Sequence, residues 1–398
     1  MQYDLGIIGA GPAGYVAAIR AGQAGLKTVL FDKHYIGGVC LNEGCIPTKT
    51  LLHTAKLYSH ARSGSKYGLR INKVEVDMAA LMKRKQKMVR KLVGGVKSQL
   101  KDSQVEVVMD QARISDSSLK KVTVEAGSQA YQCAHLLIAT GSEPVYPPIP
   151  GLQQEQVYTS AEILQISELP EELTIIGGGV IGIEFADFFA SMGTRVTVIE
   201  MLDEIIGVMD SEIAAMLRKE LTRKGVDFKL GAQVTQMEGK TLTYRMQDKD
   251  YTHQAGQILL SVGRKPVLHI PGLEKLGLNY NNRGIETDAW YSKPRRRGGR
   301  QSHTGQEGPN ALRCRAGRDL HQSRSSQRGP DGRRGPQAGD SGGCTPAPHG
   351  LCRPLSGRER RRKRGMQARD RQNLGQHPGC AHAGQFKLRN NCHCLNGH

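Results

Sequence analysis

The chain has 398 residues, 23% of them charged, and a formal net charge of +19. Taken whole, that charge would point to nucleic acid or an anionic surface. Residues 1–292, however, carry 33 Lys+Arg and 31 Asp+Glu, whereas residues 293–398 carry 23 and 6. The first 292 residues therefore exclude a polycation and read as an ordinary, nearly neutral globular sequence with room for two domains.

The predicted elements begin with a short apolar strand, Tyr3-Asp-Leu-Gly-Ile-Ile8, which leaves no room for a signal or transit peptide before it. No apolar run approaches the ~18 residues of a membrane span. Within residues 1–292 the only cysteines are Cys40, Cys45 and Cys133. That usage suits a reducing compartment, so a cytoplasmic protein is expected. Gly9-Ala-Gly11-Pro-Ala-Gly14 follows the strand, then a helix over 15–25 and a strand over 27–32 that ends in Asp32.

Next comes Cys40-Leu-Asn-Glu-Gly-Cys45-Ile-Pro-Thr-Lys49. Close cysteines are metal ligands or redox partners. A zinc site needs a second Cys or His pair, and His34 is the only nearby candidate, so no metal is expected. The glycine signature upstream favours a disulfide that accepts electrons and passes them on as a dithiol. Cys45 is predicted to begin a helix, whose dipole lowers a thiol pKa. Gly44 permits a turn between the cysteines, and Pro47 suits a first helical turn. Lys49 lies one turn on; alone it would read equally well as a surface lysine, but inside this motif a cation set to stabilise a negative reduced cofactor is the stronger reading. Cys133, inside Tyr131-Gln-Cys-Ala-His-Leu-Leu-Ile138, is predicted to be a buried strand residue.

The opening pattern then recurs. A strand over 173–176 runs into Gly177-Gly-Gly179-Val-Ile-Gly182, a helix over 183–193, and a strand over 195–200 that ends in Glu200. In both copies the first glycine precedes the acid by 23 positions. The first glycine makes the tight turn, the second lets the backbone approach a pyrophosphate, and the third lets helix and strand pack closely. The helix N-terminus attracts the phosphates, and the acid accepts from a ribose hydroxyl. One such motif is weak evidence; two, each in strand–turn–helix–strand context, predict two Rossmann-like dinucleotide-binding domains in an α/β protein. A carboxylate at Glu200 repels a 2′-phosphate, so NAD is expected rather than NADP. Arg218 and Arg223 are read as solvated charges on the following helix. Glu184 sits on an apolar helix, where a carboxylate needs a partner.

Gly9 to Gly14, Gly37-Gly-Val-Cys40 through Lys49, Ala139-Thr140-Gly141-Ser142, Gly177 to Glu184 and Ser261-Val-Gly263-Arg264 follow in the order and spacing of a known family. Residues 1–290 resemble the dihydrolipoamide dehydrogenases of the flavin disulfide-reductase family. Leu41-Asn42 and Ile46 to Lys49 resemble them more than glutathione reductases. The resemblance implies FAD on Gly9, Gly11, Gly14 and Asp32 (most relatives have Glu there), with Thr140 and Gly141 in the cofactor-binding set. It implies NAD on Gly177, Gly179, Gly182, Glu200 and Gly263. It makes Cys40 the outer thiol, Cys45 the inner thiol facing the flavin, and Lys49–Glu184 an ion pair near the flavin ring. The implied reaction is dihydrolipoamide + NAD⁺ → lipoamide + NADH. The implied partner is a lipoyl domain of a 2-oxo acid, acetoin or glycine-cleavage complex. The domains would be 1–148 for FAD, 149–267 for NAD, and 268–292 for the start of a return to the FAD domain.

After Trp290 the resemblance stops. Residues 293–398 contain 20 Arg, six cysteines and one aromatic residue, Phe386, with no apolar period. They are expected to be disordered in place of an α+β interface domain, which in the family supplies the dimer contact and an acid/base His-Glu pair. The expected consequence is impaired activity and no family homodimer. Out-of-frame GC-rich coding explains the composition. The stretch 319–330, back-translated with suitable codons and read one base later, becomes Ile-Tyr-Thr-Asn-Pro-Glu-Val-Ala-Ser-Val-Gly, which resembles the family's sequence at the start of the interface domain. Two alternatives stand beside this reading. One is a nucleotide-binding body with a nucleic-acid-binding tail, resting on the run Arg358-Glu-Arg-Arg-Arg-Lys-Arg364. The other is a different disulfide reductase, such as glutathione or mercuric reductase.

Overall fold

The structure is a computed structural model that describes residues 1–118, 121–288 and 292. The tail and the frameshift reading of it lie outside the described residues. Strand β1 (Gln2–Ile8) leads through the first glycine turn into α1 (Pro12–Gln23) and β2 (Thr28–Phe31). The helix starts directly after Gly11, earlier than the sequence pattern suggests, because Pro12 suits the first helical position and its missing N–H costs nothing there. Gly14 is therefore inside the helix rather than before it.

Two short helical segments carry the cysteines. Cys40 lies in α2 (Gly38–Glu43), and Cys45 is the first residue of α3 (Cys45–Arg62). A 25-residue helix, α4 (Met78–Asp102), capped by the Asp77 side chain on the Ala80 N–H, returns the chain to the sheet. There follow β3 (Glu106–Val108), β4 (Arg113–Ser117), β5 (Val122–Ala126) and β6 (Gln129–Ile138). The six strands form one sheet in the order β3-β2-β1-β6-β5-β4. Its first four strands pair in parallel, and β6-β5-β4 form an antiparallel meander. β7 (Ser142–Pro144) leads out of this unit.

The second unit repeats the first. β8 (Glu172–Ile176), α5 (Val180–Met192) and β9 (Arg195–Ile199) are followed by α6 (Ser211–Arg223) and β10 (Asp227–Lys229). β11 (Ala232–Glu238), β12 (Thr241–Met246) and β13 (Lys249–Gln254) form an antiparallel meander, and β14 (Gln257–Leu260) completes a parallel sheet of order β10-β9-β8-β14. β15 (Arg264–Pro266) then pairs antiparallel with β7, so the outgoing and returning chains cross side by side. Two short strands, β16 (Tyr280–Asn281) and β17 (Gly284–Ile285), end the described fold. Cys133 is fully buried in β6. No helix among the described residues is long and apolar enough to cross a membrane.

The largest apolar cluster joins the two units. Leu51 and Ala55 of α3 and Leu81 of α4 share it with Phe185, Phe188 and Phe189 of α5. Burying each large side chain contributes roughly 1.5–3 kcal/mol, and Phe188 and Phe189 meet edge-on with centroids 4.9 Å apart. This packing lays the helix that begins at Cys45 against the helix that follows the second glycine turn. Lys85, buried on α4, adds a polar tie by donating to the Leu164 carbonyl, and burial lowers its pKa.

Candidate active site

Each glycine turn has the same anatomy. Gly9 and Gly177 have φ of +106° and +105°, in the region that favours glycine. A Cβ on Gly14 would lie 1.7 Å from the Gly9 carbonyl oxygen, and one on Gly182 would lie 2.2 Å from that of Gly177. The first and third glycines of each motif thus serve the fold itself. The second ones differ: a Cβ on Gly11 or Gly179 would meet nothing nearer than 3.9 and 4.0 Å. Open space faces those two backbones at the start of α1 and α5, where helix N–H groups and dipole favour phosphate.

The acids close the loops. Asp32 accepts the Ala10 N–H at 2.7 Å on one oxygen, and the His34 and Tyr35 N–H groups on the other. Glu200 is buried and accepts the Gly178 N–H at 2.5 Å and the Leu202 N–H at 2.8 Å. Beside Asp32 lies a cleft of about 120 Å³ lined in part by Gly9, Asp110, Gln111, Thr140, His269 and Pro271. Thr140 donates to the Val267 carbonyl, and Gly141 (φ +72°) accepts the Val267 N–H. Gly263 (φ +124°) accepts the Val145 N–H beside the β7–β15 pair. These residues fit two dinucleotides: each loop offers bare backbone to a diphosphate and a carboxylate to a ribose.

Arg218 departs from the sequence reading. It is not merely solvated, since it forms a two-pronged, half-buried pair with Glu204, at 2.9 Å through Nε. That hydrogen bond holds the Glu204 carboxyl below its usual range and commits the guanidinium. Arg223 does lie exposed, paired with Glu220.

The two cysteines are free thiols, both half-buried. Hydrogen bonding from Cys40, then the Lys49 cation and the α3 N-terminus, outweighs burial and lowers the Cys45 thiol to about 6. The same contact, with burial, raises Cys40. The contact thus favours the thiolate on Cys45 and the thiol on Cys40. Lys49, one turn along α3, pairs with Glu184 of α5 at 2.6 Å. Their side chains are 58% and 27% exposed, so the pair adds under about 1 kcal/mol to stability. Its weight lies in fixing a cation next to the thiolate. Among the described residues no group of three or more His, Cys, Asp or Glu has metal-ligand geometry.

Several contributors were given no role by the sequence, although Asn42 and Arg264 lie inside the motifs quoted from it. Asn42 donates to the Ile36 and Gly38 carbonyls at 3.1 and 2.9 Å and so anchors the loop bearing Cys40. Burial raises Tyr15, and the two cysteines add to the effect, which places it near them. Arg264 is held on Ser142 through the side-chain oxygen at 2.9 Å and the carbonyl, and Glu43 lies within its field. Asp110, Gln111 and His269 line the Asp32 cleft only because β3 and the chain after β15 bring them there.

The thiol pair thus lies where two units meet, each carrying a dinucleotide-type glycine turn. Residues 3–295 match the model of the pyridine nucleotide-disulphide oxidoreductase family, and the chain belongs to that family, whose members are FAD-dependent and use NAD(P). It is 42% identical to the dihydrolipoyl dehydrogenase of Mycoplasma pneumoniae over 271 residues, which are 67% of this chain and 58% of that protein. Its match to the dihydrolipoyl dehydrogenase of Acholeplasma laidlawii is 37% identical over 73% of this chain and 86% of the relative. Among solved structures, the HOCl-induced flavoprotein disulfide reductase RclA from Escherichia coli is 30% identical with a TM-score of 0.61, over 73% of this chain and 63% of that one. The chain thus spans about three fifths of the M. pneumoniae enzyme.

Proposed function

We propose that this chain is built to oxidise dihydrolipoamide with NAD⁺ through a Cys40–Cys45 disulfide and FAD. The observation that carries the reading is the convergence of Cys45, Lys49 and Glu184 where α3 meets α5, with a dinucleotide-shaped loop on either side.

The thiolate of dihydrolipoamide attacks Sγ of Cys40 in the oxidised pair. The Cys40–Cys45 bond breaks, and its electron pair leaves on Cys45 as thiolate. The second substrate thiol then attacks the mixed disulfide. This releases cyclic lipoamide and leaves a thiol on Cys40, so two electrons have passed to the protein. Cys45 suits the leaving role because its pKa is depressed to about 6 and low-pKa thiols leave faster. FAD, when bound, supplies the acceptor that relays the electron pair to NAD⁺. Gly9, Gly11, Gly14, Asp32, Thr140 and Gly141 would hold FAD; Gly177, Gly179, Gly182, Glu200 and Gly263 would hold NAD. Lys49 would place its cation beside the flavin ring, oriented by Glu184. The corresponding domains are 1–148 and 149–267, with 268–292 beginning the return to the first. The partner is a lipoyl domain of a 2-oxo acid, acetoin or glycine-cleavage complex, in the cytoplasm.

The test is reduction of the FAD-loaded protein by stoichiometric dihydrolipoamide under anaerobic conditions, followed by NAD⁺. The expected result is two protein thiols gained per chain on reduction and lost again as NAD⁺ is reduced to NADH, with both steps abolished in Cys40→Ser and Cys45→Ser. Reduction by glutathione with NADP⁺ as the better acceptor would reject the assignment.

A further inference from the structure

We propose that α4 is a docking face for a protein partner with an acidic, helically spaced surface. Of the 25 residues of α4, eight are Lys or Arg and one, the terminal Asp102, is acidic. Lys83, Lys87, Arg90, Lys97 and Lys101 recur at steps of four, three, seven and four. These steps place all five on one face of a helix, and all five are exposed. At ~1.5 Å per residue the stripe runs about 27 Å. The opposite side is buried through Leu81, Lys85 and Leu100. Among the described residues none of the five cations forms an ion pair.

Two further observations distinguish this face from a merely solvated one. Gly94 falls on the stripe, in the gap between Arg90 and Lys97, with Gly95 beside it. Both are exposed, and a Cβ on either would meet no atom within 4 Å. Glycine inside a helix weakens it relative to alanine, and no contact among the described residues calls for two bare positions there. Close approach by a partner does. The stripe then ends at an open hollow of about 460 Å³, half of its lining apolar (Ile36, Leu100, Val105 and Val107) and half polar (Lys97, Lys101, Gln104 and Glu106). This hollow shares no lining residue with the cleft at Asp32. It is the kind of anchor pocket that takes one apolar side chain of a partner.

Charge selects the occupant. Residues 293–398 of this chain carry a net +17, the same sign as the stripe, and so lack the complementary charge. A bilayer needs an apolar helix face to enter, and that face is already packed inside the protein. A single-stranded nucleic acid is held by aromatic residues interleaved with the cations, and α4 has none. A protein surface with carboxylates along the stripe, its backbone close to Gly94 and Gly95, and an apolar residue in the hollow satisfies all three features.

The test uses the full chain and a fluorescent helical peptide with glutamates at the same spacing and one leucine placed for the hollow. Its controls are a scrambled peptide of equal composition, duplex DNA, and phosphatidylglycerol vesicles, all at physiological salt. The patterned peptide should bind roughly tenfold more tightly than the scrambled one, and K87E/R90E should remove that advantage. G94A/G95A should raise the thermal midpoint of the free protein yet weaken peptide binding. K97E/K101E provides a second reading should K87E/R90E fail to fold. The tail is present in every variant, so its own attraction for acids cancels. Equal affinity for patterned and scrambled peptides, DNA or vesicle binding that K87E/R90E weakens more than it weakens peptide binding, or unchanged binding by G94A/G95A would overturn the proposal.

Discussion

Cys45 and Lys49 stand four positions apart in the sequence, and their chemistry was readable there. A thiol at a helix start with a cation one turn on is a thiolate site. With the Cys45 thiol lowered to about 6, it is mostly ionised at pH 7 and protonates as the pH falls through about 6. Ultraviolet thiolate absorbance of the reduced protein should therefore titrate with a midpoint near 6, and Cys45→Ser should remove that step. Lys49→Met removes a cation, so the midpoint should rise by about 1 pH unit; an unmoved midpoint would show that Lys49 does not act on the thiolate. Glu184, read from its own helix, was a carboxylate in search of a partner, and the family resemblance named Lys49. The packing of α3 on α5 brings that residue, 135 positions away, to 2.6 Å. Asn42 and Tyr15 were not legible as contributors, because nothing in a residue type announces which loop carbonyl or which thiol it will face.

At the scale of elements, the two strand–turn–helix–strand copies could be read directly, since close packing at a glycine turn leaves a fixed spacing in the chain. The difference lay in where the helices begin. Both start right after the second glycine, which puts Gly14 and Gly182 inside the first turn, against a carbonyl oxygen. The glycines thus divide by role, and substitution tests the division. Gly14→Ala or Gly182→Ala overpacks the turn and should lower unfolding free energy in urea by about 1–3 kcal/mol. Gly11→Ala meets open space, so stability should hold while FAD affinity, followed by flavin fluorescence quenching, falls. Loss of stability equal to that of Gly14→Ala would refute a ligand-facing Gly11. Glu200→Ala should weaken NAD binding and narrow its advantage over NADP, measured by calorimetry. Arg218 offers no rescue for a 2′-phosphate because Glu204 already holds it.

For the molecule as a whole, the decisive contact is α3 against α5, which puts the thiol pair of one dinucleotide unit beside the glycine turn of the other. Shaving Phe185 to Ala at this buried junction should cost about 3–5 kcal/mol, read as an earlier urea transition. It should also loosen Lys49 from Glu184 and so move the Cys45 titration. In the sequence, residues 293–398 do not continue the family resemblance that runs to Trp290. Turnover of free dihydrolipoamide by the FAD-loaded 398-residue protein should therefore be low and its FAD weakly retained on gel filtration. Stoichiometric FAD with rapid steady-state NADH formation would contradict this.

The α/β class, the two glycine turns, the close thiol pair and the uneven charge of the chain could all be read from consecutive residues. All of these are local: a turn, a helix start or a charge count is written in consecutive residues. Folding was needed to show that Arg218 is held by Glu204, that Asp110 and His269 border the Asp32 cleft, and that α4 carries five cations on one exposed face. Those facts depend on which surfaces the apolar core draws together, and burial is a property of the whole folded chain rather than of any stretch of it.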